Sequence, residues 1–382
     1  MAATLDASLN KAFFVIFTPC VQRVFLVFRG LGRRLCQTVM LGAGLSLCLP
    51  ALAAPIFVLN SLSASVSVID PVSWKEIKRI PTGKEPHHLY LAPDEKSLLI
   101  ANALGDSLLF VDPKTAEVQR TVRGIPDPYQ LRFSPDMKWF VTAANRLNHV
   151  DIYRWDGSNL TLAKRLPTGK TPSHVWIDSK STTVYATMQD SDELVAIDLP
   201  SQTFKWRAPT GAMPADVFGT PDDKFLLIGL TGGDGVEVYD VSAGQAKLVK
   251  LIKTGQGAHA FRAAGDKRHV YVSNRVANTI SKIDYLAMAV TDNYVAPSGP
   301  DCMELSADGR YIYVASRWAG KLTVIDTQTR AVVRQVKVGK SPHGVWTLDH
   351  APRQCGPDPA LVCYSNNSYS INNHVAWGRF FL

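Results

Sequence analysis

No Cys-x-x-Cys-His motif occurs in the 382-residue chain, so a covalently attached c-type haem is excluded. Cysteine is scarce in general. Of the six, Cys20, Cys36 and Cys48 fall in a segment that reads as a removable leader, which leaves Cys302, Cys355 and Cys363. An oxidising compartment would let Cys355 and Cys363 pair across a short loop, with Cys302 alone. Charge is also sparse, at 19% of residues, and no dense lysine or arginine block interrupts the chain. The formal net charge is +8, but residues 1–54 hold five basic side chains against Asp6 alone. The remaining 36 basic and 32 acidic residues give +4, too mild to argue for nucleic acid, and DNA stays a weakly supported partner. The apolar stretch 13–28 is short and contains Gln22 and Arg23, so no transmembrane domain is expected in the mature protein. Gly232-Gly233-Asp234-Gly235 opens a strand rather than a helix and is no phosphate loop.

The N-terminus reads as an export signal. Arg29, Arg33 and Arg34 form a basic region, residues 39–49 an apolar one, and Ala51-Leu52-Ala53 a small-residue cleavage site. Mature protein would begin at Ala54 or Pro55. Arg33-Arg34 resembles a twin-arginine signal, but Leu35-Cys36-Gln37 supports that poorly, so bacterial Sec-type export to the periplasm or beyond is expected. Stretch 13–28 is then an over-long start or an extended basic region.

From there a repeat takes over. Glycine, usually after Thr or Val, recurs at Gly83, Gly124, Gly169, Gly211, Gly255, Gly299 and Gly339, with gaps of 40 to 45 residues. Strand-like text fills the gaps, and this period is that of a β-propeller blade. In the fifth unit residues 260–263, 269–273 and 279–284 read as three successive strands, the last alternating with period two. Second strands recur at 98–101, 139–142, 184–187, 225–229 and 312–315. Third strands end in an acid at Asp70, Asp112, Asp151, Asp198, Asp240, Asp284 and Asp326, whose recurrence marks a structural turn acid. Before Gly83 the text starts at a second strand, and after Gly339 only a first strand, 344–348, remains. The expected fold is therefore an all-β, seven-bladed propeller over residues 55–350. Its last blade joins three N-terminal strands to one C-terminal strand, which removes free edges. Residues 351–382 do not fit the repeat and read as an appendage or tail.

Tyr271-Val272-Ser273-Asn274 followed by Thr279-Ile280-Ser281-Lys282-Ile283-Asp284 resembles the hallmark of the YVTN-repeat β-propellers. Tyr313-Val314-Ala315-Ser316 with residues 322–326, and Phe57-Val58-Leu59-Asn60 with residues 66–70, are further copies. The resemblance covers about residues 56–348. It implies the ring, and relatives that bind d1 haem, hydrolyse lactones or bind DNA in the periplasm, without choosing among them.

In such a ring the loop into each innermost strand opens on the channel mouth. Counted from the repeated glycine, the residues there are His87-His88, Tyr129-Gln130, Ser173-His174, Ala215-Asp216, His259-Ala260, Met303-Glu304 and His343-Gly344. These fourteen positions hold five of the nine histidines. Imidazoles and carboxylates so placed could ligate a divalent metal, meet a d1-type haem, or act as acid and base. Ring closure makes His87, His88 and His343 the trio expected to meet, and the metal candidates. His174 and His259 lie on more distant blades and would join only through a ligand. Alternatively, one ancestral Pro-His copied by descent explains the pattern. Corners between second and third strands add Asn60, Asn102, Asn145-Arg146, Gln189, Asn274-Arg275 and Arg317. The asparagines read as local caps. Arg275 and Arg317 sit at equivalent positions on adjacent blades and would clamp an anion or pair with neighbouring acids. Trp318 beside them would stack on a ligand or cover a blade edge. The leading expectation is an exported, non-enzymatic binding scaffold for a protein or small anionic ligand, the ligand-binding set being His87, His88, His174, Asp216, His259, Arg275, Glu304, Arg317 and His343. The alternatives are a metal or d1-haem carrier, and a lactonase built on Glu304, His259 and Arg275 or Arg317.

Overall fold

A computed structural model describes residues 53–350. The leader, the Cys355–Cys363 pairing and the tail lie outside these residues. Within them, 28 strands form seven four-stranded antiparallel sheets. Pro342–Thr347 pairs with Ile56–Asn60, which continues to Ser65–Asp70 and Lys75–Pro81, so the last strand closes the first three into one blade. The ring is that expected.

Burial grades outward across each blade. The innermost strands Pro172–Ile177, Pro214–Gly219 and Pro342–Thr347 are buried throughout. The outermost strands Lys75–Pro81, Val118–Arg123 and Lys247–Lys253 are largely exposed and carry Lys, Arg and Glu. Charge there discourages pairing with another chain's edge. Aromatic and branched side chains between blades form the core, as where Trp176, Phe218 and Phe261 stack in sequence.

The acids after the third strands act as expected in six blades. Asp70, for example, accepts the backbone N–H of Val72 and of Ser73, at 3.1 Å each. Asp151 does not. It lies inside His149–Trp155, fully buried, where Arg165 grips both its oxygens at 2.8 Å and Tyr153 donates at 3.1 Å. The turn acid of that blade is Asp156, two residues beyond the expected register, which accepts the N–H of Ser158 and Asn159.

The repeated glycine has a packing cause. A Cβ on Gly339 would fall 2.6 Å from the Asn60 side chain. That asparagine is buried, accepts the Gly339 N–H at 2.9 Å and donates to Ser67 at 2.9 Å, so it is the local cap expected. Gly339→Ala should lower stability by about 1–3 kcal/mol through overpacking at the ring seam. A melting temperature equal to wild type would reject that account.

The glycine is not one structural position throughout. The position that repeats in all seven blades is the residue before each innermost strand: Glu85, Asp127, Thr171, Met213, Gly257, Gly299 and Ser341 all have φ between 44° and 77°. Gly299 occupies this left-handed site, whereas Gly83 and Gly339 lie two residues earlier. Counting from Gly299 therefore overshoots the sixth blade by two residues.

Candidate functional site

Each innermost strand enters the ring with a register break against its neighbour, as between Pro86 and Leu89, or Pro300 and Met303. The break lets two consecutive side chains approach the channel axis. Counted from the strand start, the first set is His87, Tyr129, Ser173, Ala215, His259, Asp301 and His343. The second set is His88, Gln130, His174, Asp216, Ala260, Cys302 and Gly344.

Five imidazoles converge there. The His87 and His343 rings stack with centroids 3.7 Å apart, and His88 lies 4.8 Å from His87 and 4.9 Å from His343. The expected trio thus meets. His174 and His259 were expected to stay apart, and the structure corrects this. The His174 ring is 4.9 Å from His88 and 5.7 Å from His259, which is 5.9 Å from His343. The channel is narrow enough for side chains from non-adjacent blades to touch.

Beside them sits Asp301, fully buried. Arg275 donates to both its oxygens at 2.9 Å and Arg317 to one at 3.0 Å. His259 Nδ1 stands 3.1 Å and His343 Nε2 3.4 Å from Oδ1. The two arginines therefore pair with one shared acid. Two guanidiniums against one carboxylate leave an excess positive charge. Burial would raise the Asp301 pKa, but Arg275, His343 and His259 outweigh it and hold the carboxyl well below its usual range.

Asp301 and Cys302 escaped the glycine count, which selected Met303 and Glu304 instead. Proline opens six of the seven innermost strands, and alignment on it would have found both residues. Glu304 is buried, paired with Arg262 from the preceding blade and accepting the Leu305 N–H at 2.8 Å. The lactonase combination of Glu304 with His259 and an arginine is therefore not assembled. Asp216 does reach the channel. It accepts Val217 N–H at 2.9 Å and Phe261 N–H at 2.8 Å, tying two blades, and burial pushes its pKa up to about 6. With His88, His174 and Cys302 it lines an internal cavity of about 40 Å³. That is room for an ion or a water or two, not for a tetrapyrrole.

Burial depresses every imidazole of the cluster. His88 and His259 fall to about 4, with Arg275 adding to the effect at His259, and His87, His174 and His343 lie well below their usual value. All five are neutral at pH 7. The buried atoms His174 Nε2, His259 Nδ1 and His343 Nε2 have no aligned hydrogen bond. Burial likewise raises the Cys302 thiol, with Asp301 adding, and lifts the Tyr129 phenol to about 12.

Outward from Arg317, at the seam of the sixth and closing blades, opens a cleft of about 470 Å³. Arg79, Arg317, Lys337 and Lys340 line it with Trp318, and no carboxylate does. Trp318 is 59% exposed and rests over Gly299, where a Cβ would strike its ring at 2.5 Å. Arg79 is held by Glu76, whereas Lys337 and Lys340 have no ion pair among the described residues.

Among known proteins, the profile of the YNCE-like beta-propeller family matches residues 25–353. No curated protein matches by sequence. A functionally unknown protein from Desulfotomaculum acetoxidans DSM 771 is similar in structure, with TM-score 0.67 and 12% identity over 79% of this chain and 100% of that one. The Pseudomonas aeruginosa periplasmic gluconolactonase PpgL aligns with TM-score 0.66 and 18% identity, over 77% and 98%. The dihydro-heme d1 dehydrogenase NirN aligns with TM-score 0.54 and 17% identity, over 77% and 75%. At these identities the likeness concerns the fold alone.

Proposed function

The chain belongs to the YNCE-like beta-propeller family, a membership that gives the ring and no reaction, and from its own channel mouth we propose that it is a binding scaffold for a small anionic ligand with a planar face. The cleft beside Arg317 carries this reading, because it gathers four cationic side chains, no carboxylate and one exposed indole. Arg317 is oriented from beneath by Asp301 and keeps an exposed edge, so a ligand meets a guanidinium already in place. Trp318 offers a flat surface whose other side is backed by Gly299. Two of the candidate acid–base groups are otherwise engaged, Asp301 by two arginines and Glu304 by Arg262. That favours binding over turnover.

Adenosine monophosphate and citrate are suitable probes. Trp318 fluorescence should be quenched by the first, and binding should weaken as salt rises. Arg317→Ala should reduce affinity about tenfold or more, the worth of a charge-assisted hydrogen bond. Absence of binding by any anion tested, or an affinity indifferent to Arg317→Ala and Lys340→Ala, would remove the proposal.

We also place the protein outside the cytoplasm. Ala54 N–H donates to the Asp349 carboxylate. A chain cleaved after Ala53 would put its new α-ammonium at that carboxylate. Among the described residues no helix is long and apolar enough to cross a membrane.

A further inference from the structure

We propose that His87, His88 and His343 hold one copper(I) ion at the head of the channel, a site separate from the anion cleft. Each of the three offers one ring nitrogen, and these atoms lie within 4.8 Å of one another. A trigonal ion with bonds of about 2 Å needs nitrogens about 3.5 Å apart, so the trio has only to close by roughly an ångström.

Hydrogen bonds prepare two of the rings for this. His343 Nδ1 lies 2.8 Å from the His87 carbonyl and His88 Nδ1 lies 2.9 Å from the Tyr129 carbonyl. A carbonyl only accepts, so both Nδ1 atoms carry the proton and both Nε2 atoms carry a lone pair. An imidazole anchored through one N–H to a backbone carbonyl is the usual posture of a metal ligand. His343 Nε2 is buried, has no hydrogen-bond donor, and faces the acceptor Asp301 Oδ1 at 3.4 Å. A buried lone pair so placed is relieved by a cation.

A second grouping, His259, Asp301 and His343, has similar spacing. Its chemistry is wrong. Arg275 donates to His259 Nε2 at 2.7 Å, and an arginine cannot accept. His259 Nδ1 must therefore bear the hydrogen, pointing a proton rather than a lone pair at the site. Asp301 is already saturated by two guanidiniums.

Those guanidiniums also select the ion. Arg275 and Arg317 exceed Asp301 by one positive charge, so a dication beside them is opposed more than a monocation. Three imidazoles with no carboxylate among them suit copper(I) on the same count.

The test is anaerobic titration of full-length protein with copper(I) against a bicinchoninate competitor, and separately with Zn²⁺ against a chromophoric chelator. One equivalent of copper(I) should bind, and Zn²⁺ should bind more weakly. His343→Ala and His88→Ala should each weaken copper(I) binding at least about tenfold, while Leu286→Ala, on an exposed turn, leaves it unchanged. If either histidine variant fails to fold, X-ray absorption of the copper-loaded wild type decides, with two or three nitrogen neighbours at about 2 Å expected. The proposal is overturned by no copper(I) uptake, by tighter Zn²⁺ binding, by a folded His343→Ala protein of wild-type affinity, or by a metal shell lacking nitrogen.

Discussion

Acidification from pH 6.5 to pH 4 will cost the metal-free protein on the order of 5 kcal/mol of stability. The cause is the buried imidazole cluster. An unfolded histidine takes up its proton near 6.5, whereas burial delays protonation of His259 and His88 in the fold to about 4. Between those values the unfolded chain binds more protons, so stability rises with pH across the window. The contribution is complete above about 6.5 and lost as pH falls through 4. Each of these two shifts corresponds to roughly 3 kcal/mol, less at His88, which is only partly buried. His87, His174 and His343 act in the same direction. Asp216 acts in the other, because its carboxyl protonates near 6 in the fold and near 3.8 when unfolded. One carboxyl against five imidazoles does not reverse the slope. Asp301, held below its ordinary value, loses its contribution only at pH below 3.8. Denaturant titrations at pH 7, 5.5 and 4.5 measure the slope directly. Equal stability at all three would show that these rings are not held neutral.

Replacement of Asp301 by asparagine should cost about 3–5 kcal/mol. The substitution keeps the shape and removes the charge. Arg275 and Arg317 would then face each other across a neutral amide, with most of each side chain out of water. Truncating one of them in the same background should restore part of the loss, because it removes the uncompensated charge. A double-mutant cycle over Asp301 and Arg275 should therefore show a coupling above about 1 kcal/mol. Independent, additive effects would mean that the carboxylate does not hold these arginines.

The fold was legible because a propeller repeats its local rules seven times. Strand alternation, turn acids and the truncated first and last units each pointed to the same closed ring. The site was legible in part. His87, His88 and His343 meet because they open blades adjacent across the seam. His174 and His259 were misjudged because chain order says nothing of channel width. Asp301 was missed for a different reason. A glycine can serve close packing, as Gly339 does against Asn60, or a left-handed backbone, as Gly299 does. The two uses look alike as text but stand at different places in the loop. The proline that opens most innermost strands has a single use, a strand start that needs no N–H, and keeps register better. Asp151 shows the same limit: its blade carries a longer third strand, so an acid at a familiar spacing landed inside the sheet.

The seam also bears on how the protein is made. Asn60 and Gly339 meet across 279 residues of sequence, and the strand that completes the first blade is the last of the described strands to be synthesised. Until it arrives, Ile56–Asn60 has one open edge and the ring has a gap. The first blade therefore stays unfinished through most of synthesis, and the circle can lock only after Pro342–Thr347 has been made.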